Sequence, residues 1–262
     1  MSQTSARLHR AAALAVSGLL VMSLGVGPLA APAQHAEPGG RQGSLAGACA
    51  SGGRATTIIE WVPFIRFGGI MYLQSPMPSA RALRAVALGP VFATVRCKLA
   101  GAVTDPTYRP KDGDAAFVAP GTPVFTVKGY RPTFRLAIRG ARGIILFEAD
   151  TNPRARRGAD LLDIGGKVRA IGITAASGGT VELARITNPV QITRLVGLIL
   201  RAPVDQKRPS LSPARYTLTF HLVDGTSVAR SYWPDSGELS RGIMTSRAFA
   251  AAIKRAATAG RS

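Results

Sequence analysis

Apolar residues in the first half of the chain occur in short runs that turn-forming residues separate. The run around Val124 and Phe125 is typical, because Pro120-Gly121 precedes it and Gly129 follows it. Short β-branched and aromatic runs bounded by Gly, Pro and Asp favour β-strands. The predicted strands are 58–73 (kinked at Pro63), Val91–Leu99, Ala115–Val118, Pro123–Val127, Phe134–Ile138 and Gly143–Glu148. This spacing predicts an antiparallel sheet that curls toward a barrel or small sandwich.

After residue 150 the pattern changes to two hairpins that alternate with two helices. The first helix begins at Asn188-Pro189, because asparagine caps free amides and proline suits the first helical position. Apolar residues recur at helical spacing from Ile192 to Leu200. The second helix begins near Ser246. The predicted strands of this half are Lys167–Thr174, Thr180–Ile186, Arg215–Val223 and Thr226–Trp233.

The two patterns together predict an α+β fold in two halves. Residues 55–150 would form a β-rich domain that resembles a barrel or sandwich. Residues 151–262 would form an α+β domain of two hairpin–helix units. We place the boundary at 151–158 because turn formers and three arginines interrupt the strand pattern there.

The first 33 residues have the three zones of a cleavable secretory signal peptide. Arg7 and Arg10 form a basic start, Ala11–Val26 is an apolar run, and Ala31-Pro32-Ala33 fits the small-residue cleavage pattern. Residues 34–54 are rich in Gly, Ala, Ser and Pro and predict a flexible tether. We therefore expect a secreted, extracytoplasmic protein with no transmembrane span in its mature chain.

The two cysteines, Cys49 and Cys97, leave two alternatives open. Outside the cytoplasm they could form a disulfide. Alternatively, Leu45–Cys49 resembles a degenerate lipobox, in which case Cys49 would carry a lipid anchor and could not form the bridge. A lone, widely separated pair does not match a zinc site, which gathers three or four ligands.

The charge of the chain is strongly positive. Lys and Arg number 33 against 14 acidic residues, a net charge of +19. One explanation is a compositional bias toward arginine, and the other is affinity for an anionic polymer. The best candidate for a basic site is the stretch that carries Arg154, Arg156 and Arg157.

A second candidate contact surface is the segment from Tyr232 to Gly242. It combines Tyr232 and Trp233 with acids and Arg241. Trp, Tyr and Arg carry much of the energy at binding interfaces, so this mixture fits a ligand or partner. The alternative is that Trp233 simply covers the edge of a sheet.

Residues suited to catalysis are scarce. A nucleophilic triad would have to use His221, since the only other histidine after the leader, His35, lies in the tether. Asp150, Asp160 and Asp163 could act as paired carboxylates, although ion pairs with nearby arginines explain them equally well. We predict no catalytic residue, no metal site and no cofactor, which favours a non-enzymatic function.

Several motifs resemble a group of uncharacterised exported bacterial proteins and lipoproteins of the cell envelope. The motifs are Gly121–Phe125, Asp150–Pro153, Gly158–Val168, Ala202–Gln206 and Tyr232–Leu239. The resemblance covers most of the chain from Trp61 to Ile253, and it implies export and association with the envelope. It implies no activity.

The leading hypothesis is an exported envelope module with a binding or structural role, whose partner is an anionic cell-wall polymer or an envelope protein. No specific nucleic-acid partner is predicted. One alternative is an exported enzyme that acts on cell-wall polymer through carboxylates. Another is a protein-binding inhibitor or sensor.

Overall fold

The computed structural model describes residues 59–75, 87–141, 143–176, 181–206 and 213–259. The proposed signal peptide, the tether and Cys49 lie outside the described residues. Within this part of the chain, the first sheet is formed by β1 (Phe64–Phe67), β2 (Ile70–Gln74), β3 (Leu88–Thr94), β4 (Cys97–Lys98), β5 (Asp114–Ala115), β6 (Pro123–Val127), β7 (Arg135–Gly140) and β8 (Gly143–Thr151).

The remaining elements build the second sheet and its helices. They are α1 (Gly158–Leu161), β9 (Val168–Ala175), β10 (Glu182–Ile186), α2 (Pro189–Arg201), β11 (Tyr216–Leu222), β12 (Ser227–Trp233), β13 (Glu238–Leu239), β14 (Ile243–Met244) and α3 (Arg247–Ala259). The α+β class predicted from the sequence is therefore confirmed.

The first sheet has the strand order β3-β6-β7-β8-β2-β1-β5-β4. Its strands pair antiparallel except for β4 and β5, which are parallel. β3 and β4 lie at opposite edges, yet only Val95 and Arg96 separate them in sequence. Two residues span only a few ångströms, so the sheet curls until its two edges approach each other.

Alternate positions of the first sheet supply its main core. Ile65, Tyr72, Val124, Leu136 and Phe147 are at most 1% exposed and belong to one apolar cluster. This alternation follows from the two-residue period of a strand, which puts every second side chain on the same face. The apolar runs seen in the sequence thus become the inner surface of the curled sheet.

The second sheet has the order β10-β9-β11-β12-β13-β14 and is covered on one face by helices. On β11, buried and half-buried residues alternate strictly from Tyr216 to Leu222. α2 begins at Pro189, where the Asn188 side chain accepts a hydrogen bond from the Gln191 amide. Its apolar stripe packs in the same core as β11, as the periodicity predicts.

A buried charge cluster joins the two sheets. The Arg135 guanidinium on β7 is 0% exposed and donates to Glu148 at 2.8 Å and to Thr226 Oγ1 at 2.9 Å. The Tyr130 hydroxyl donates to Asp224 at 2.6 Å. Arg230 on β12 also pairs with Glu148. Charges at this depth are tolerated because each has an opposite charge or a hydrogen-bond partner.

Two local expectations differ from the structure. The sequence pattern predicts that the strand continues through Gly68 and Gly69, but both glycines have positive φ and form a hairpin turn between β1 and β2. The loop after Trp233 contains the short strands β13 and β14. The first sheet ends with β8 at Thr151, and the division into domains near residue 150 stays a prediction.

Candidate polyanion-binding surface

The three predicted arginines lie on the connection between β8 and α1. We call residues 152–157 the arginine connection. Asn152 and Ala155 are buried, whereas Arg154, Arg156 and Arg157 are exposed. The buried residues fasten the backbone, so the three charged side chains face solvent from one short segment.

Hydrogen bonds within the segment fix its turn. Asn152 Oδ1 accepts from the Arg154 amide at 3.1 Å, and the Asn152 carbonyl accepts from the Ala155 amide at 2.9 Å. Asparagine side chains stabilise such turns by replacing a backbone acceptor. The Asp160 carboxylate then accepts from the amides of Arg156 at 2.8 Å and Arg157 at 2.9 Å.

The segment after α2 holds the arginine connection from its other side. The Val204 amide donates to the Arg156 carbonyl at 3.0 Å, and Arg157 forms a β-bridge with Pro203. The Gln206 side-chain amide donates to the Asn152 carbonyl at 2.7 Å. The backbone that presents the arginines is therefore held along its whole length.

The guanidinium groups themselves have few partners. Arg154 donates to the Gly68 carbonyl at 2.9 Å, and Arg156 reaches only the Ala155 carbonyl at 3.5 Å. Among the described residues, none of the three forms an ion pair with a carboxylate. Arg157 nevertheless acts on a nearby carboxylate, because its charge helps to lower the pKa of Asp160.

Arg241 and Tyr232, two other predicted contact residues, differ in exposure: Arg241 is exposed, whereas Tyr232 is buried. Arg241 pairs with Asp150, and burial lowers its pKa from the ordinary value. Tyr232 is 0% exposed and meets Phe249 edge-on, with ring centroids 5.3 Å apart. Tyr232 was predicted as a contact residue, but the inward register of β12 buries its side chain in the core.

Trp233 remains at the surface. It ends β12, is half-buried, and lies opposite Glu238 of β13. Thr217, Thr219 and His221 are likewise half-buried on β11, on the face opposite the helices. Burial lowers the pKa of His221. The positive charges of Arg185 and Arg169 lower it further, whereas the negative charge of Glu182 raises it.

The acidic residues that an enzyme would need are already engaged. Asp150 pairs with Arg241. Hydrogen bonds from two backbone amides lower the pKa of Asp160. Burial of Asp163 opposes ionisation, but hydrogen bonds from Lys167 and the Arg131 amide outweigh it and lower the pKa. Across the described residues, no three His, Cys, Asp or Glu side chains are grouped to hold a metal.

Only one cysteine of the predicted disulfide, Cys97, lies in the described part of the chain. Cys97 lies on β4 and is 6% exposed. Since Cys49 lies outside the described residues, the Cys49–Cys97 bridge and the lipid-anchor alternative both stay predictions.

The anchoring roles of Asn152 and Asp160 were not foreseen from the sequence. Asn152 precedes Pro153, and Asp160 lies three positions after Arg157. Both spacings are known turn or helix-start signals that could have indicated the fixed backbone. The pairing with residues 203–206 had no local signal.

Comparison of the chain with protein families, with curated proteins and with solved structures found no match. None of the helices in the described ranges is long and apolar enough to cross a membrane.

Proposed function

We propose that this chain is an exported cell-envelope module that binds an anionic polymer through the arginine connection. One observation carries the proposal: Arg154, Arg156 and Arg157 are exposed on a backbone that is held from both sides, and none of them forms an ion pair with a carboxylate among the described residues. The net charge, +19 for the full chain and +17 once Arg7 and Arg10 of the leader are removed, supports the same conclusion, because it attracts polyanions over longer distances.

The fixed backbone matters for affinity. Binding to a flexible loop costs free energy because the loop must be ordered, and a preorganised segment avoids much of this cost. Guanidinium groups form paired, charge-assisted hydrogen bonds with phosphate or carboxylate groups. Three such groups in four residues suit a polymer that repeats its charge along a chain, such as an anionic cell-wall polymer.

The enzymatic alternative has less support. Asp160 and Asp163 have lowered pKa values, so neither is suited to donate a proton near neutral pH. Asp150 is tied to Arg241. A hydrolase that uses two carboxylates needs one raised pKa to supply the general acid.

A second candidate function is binding of an envelope protein on the outer face of the second sheet. Half-buried Thr217, Thr219 and His221 form a polar row there, and Trp233 lies at its end. A half-exposed polar sheet face with an aromatic residue beside it favours contact with a partner. This candidate also covers the inhibitor or sensor hypothesis.

Export, envelope association and the barrel-like form of the first half belong to the same proposal. The curled sheet would act as a rigid support for the arginine connection, which follows directly from β8. Mass spectrometry of secreted material tests export. A mature chain that begins at Gln34 would support cleavage after Ala33, and a lipid-bearing chain that begins at Cys49 would support the anchored alternative.

The binding test compares two triple variants at equal charge loss. Arg154→Ala, Arg156→Ala and Arg157→Ala together should reduce retention on immobilised teichoic acid at least tenfold. The control replaces Arg194, Arg247 and Arg255 with Ala, because these arginines are also exposed and form no described ion pair. Equal losses in the two variants would reject a dedicated site and leave only a general charge effect.

A further inference from the structure

A groove of about 580 Å³ lies between α2 and β9. None of the residues of the arginine connection lines it. Ile164, Ile192 and Val196 form its buried apolar base. Val168 and Leu200 are partly exposed along its sides. Small-molecule sites have volumes of about 300–1,000 Å³ and mostly apolar linings, so this groove has the dimensions of a ligand site.

Glycines keep the groove open. Gly165, Gly166 and Gly197 all line it, and a Cβ at Gly165 would come within 3.2 Å of a Leu200 methyl group. Gly197 is an unusual choice for a helix interior, because glycine there costs about 0.5–1 kcal/mol relative to alanine. The absence of a side chain at this position preserves the space beside α2.

Some of the apolar surface that lines the groove is exposed to solvent. Val223 lines it and is 68% exposed. Exposed apolar surface in a concave site is a common sign of a ligand or partner. A flexible alkyl chain would cover this surface and release the water that contacts it.

The lining of the groove includes a cation. Arg169 is exposed, lines the groove, and forms no ion pair among the described residues. The lining contains no carboxylate, and the nearby Lys167 is already paired with Asp163. The groove thus combines an apolar interior with Arg169 in its lining, and the Arg201 guanidinium lies 3.2 Å from where a Cβ on Gly197 would be.

We infer that this groove binds a fatty acid, with its alkyl chain along α2 and its carboxylate on Arg169. Arginine matches a carboxylate because its planar group can donate two parallel hydrogen bonds. The uncompensated charge selects an anion, and the apolar lining selects a chain rather than a polymer of sugars or phosphates. The site is separate from the arginine connection and does not depend on polymer binding.

The first test fills the groove. Gly197→Leu adds a side chain on α2, where the nearest atoms to a new Cβ belong to the flexible end of Arg201 at 3.2 Å. Calorimetric titration of the full chain with dodecanoate, below its micelle concentration, should show at least tenfold weaker binding for this variant. Ala248→Leu is the control, since it adds the same side chain to an exposed position of α3 and should bind as the unchanged chain does.

The second test removes the charge. Arg169→Ala should weaken dodecanoate binding about tenfold, as expected for a lost charge-assisted hydrogen bond, and leave dodecanol binding unchanged. Arg194→Ala, on the exposed side of α2, should change neither. The inference is overturned if the unchanged chain fails to bind dodecanoate at millimolar concentration, if Gly197→Leu binds normally, or if Arg169→Ala affects both probes equally.

Discussion

At the scale of single residues, Asp160 controls how the arginine connection is presented. Its carboxylate accepts two backbone hydrogen bonds from the residues that carry Arg156 and Arg157. Asp160→Ala leaves both amides without this acceptor and should lower the free energy of unfolding by about 1 kcal/mol at pH 7, as for the loss of a helix cap. Chemical denaturation measures the change.

The same substitution should have a pH-dependent effect. The folded-state pKa of Asp160 is lowered, so its stabilising contribution is complete above the pKa of an unfolded aspartate, about 3.9, and is lost as pH falls through the folded value. The stability difference between Asp160→Ala and the unchanged chain should therefore shrink below pH 4. A difference that stays constant down to pH 2 would contradict this role. Glu60→Ala, at an exposed position, serves as the control.

The exposure of a residue could be predicted from the sequence where the local pattern determines it. The arginines of 154–157 are exposed because polar residues surround a single buried alanine. Tyr232 was not predictable as a core residue, because its burial depends on pairing opposite Tyr216 of β11. The ion pair between Asp150 and Arg241 joins residues far apart in sequence and had no local signal either.

At the scale of elements, close packing of α1 against α2 depends on Gly158. A Cβ at this position would lie 2.1 Å from the Ile199 carbonyl oxygen, which is backbone and cannot move alone. Gly158→Ala should destabilise the chain by about 1–3 kcal/mol through overpacking. Gly197→Ala is the matched control and should stabilise α2 by about 0.5–1 kcal/mol, because alanine is the better helix former. Thermal unfolding compares the two, and a neutral Gly158→Ala would refute the close contact.

The elements were best predicted where several signals agree. The α2 helix has an asparagine cap, a proline at its first position and a regular apolar stripe, and the structure places it from Pro189 to Arg201. β6 spans Pro123–Val127, the same range as the predicted strand. β13 and β14 were missed because two-residue strands carry no periodicity.

At the scale of the whole molecule, Arg135 links the two sheets. Its buried guanidinium contacts Glu148 on β8 and Thr226 beside β12. Arg135→Ala should destabilise the chain by about 3–5 kcal/mol, because it leaves a buried carboxylate with only Arg230 nearby. Arg139→Ala, at an exposed position of the same strand, should cost less than about 1 kcal/mol. Similar denaturation midpoints for the two variants would show that the buried cluster does not stabilise the junction.

The class of the fold follows from the sequence, but its assembly does not. Alternating and helical periods identify the strands and helices of each half. The order of the eight strands depends on pairings between residues that are far apart in sequence. The contact of Arg135 with residues next to β12 depends on such pairings too. The groove beside α2 was also not predictable, since its glycines and Arg169 come together only when β9 packs against the helix.

The most direct test of polyanion binding is the salt dependence of affinity. Neutralising backbone phosphates releases counterions, so log affinity for duplex DNA should fall linearly with log salt, by about 0.9 for each phosphate contact. DNA serves here as a polymer of known charge spacing. Replacing Arg154, Arg156 and Arg157 with Ala should flatten the slope by up to roughly 3. The Arg194, Arg247 and Arg255 control should leave the slope nearly unchanged. Equal flattening by both variants would contradict a dedicated site in the arginine connection.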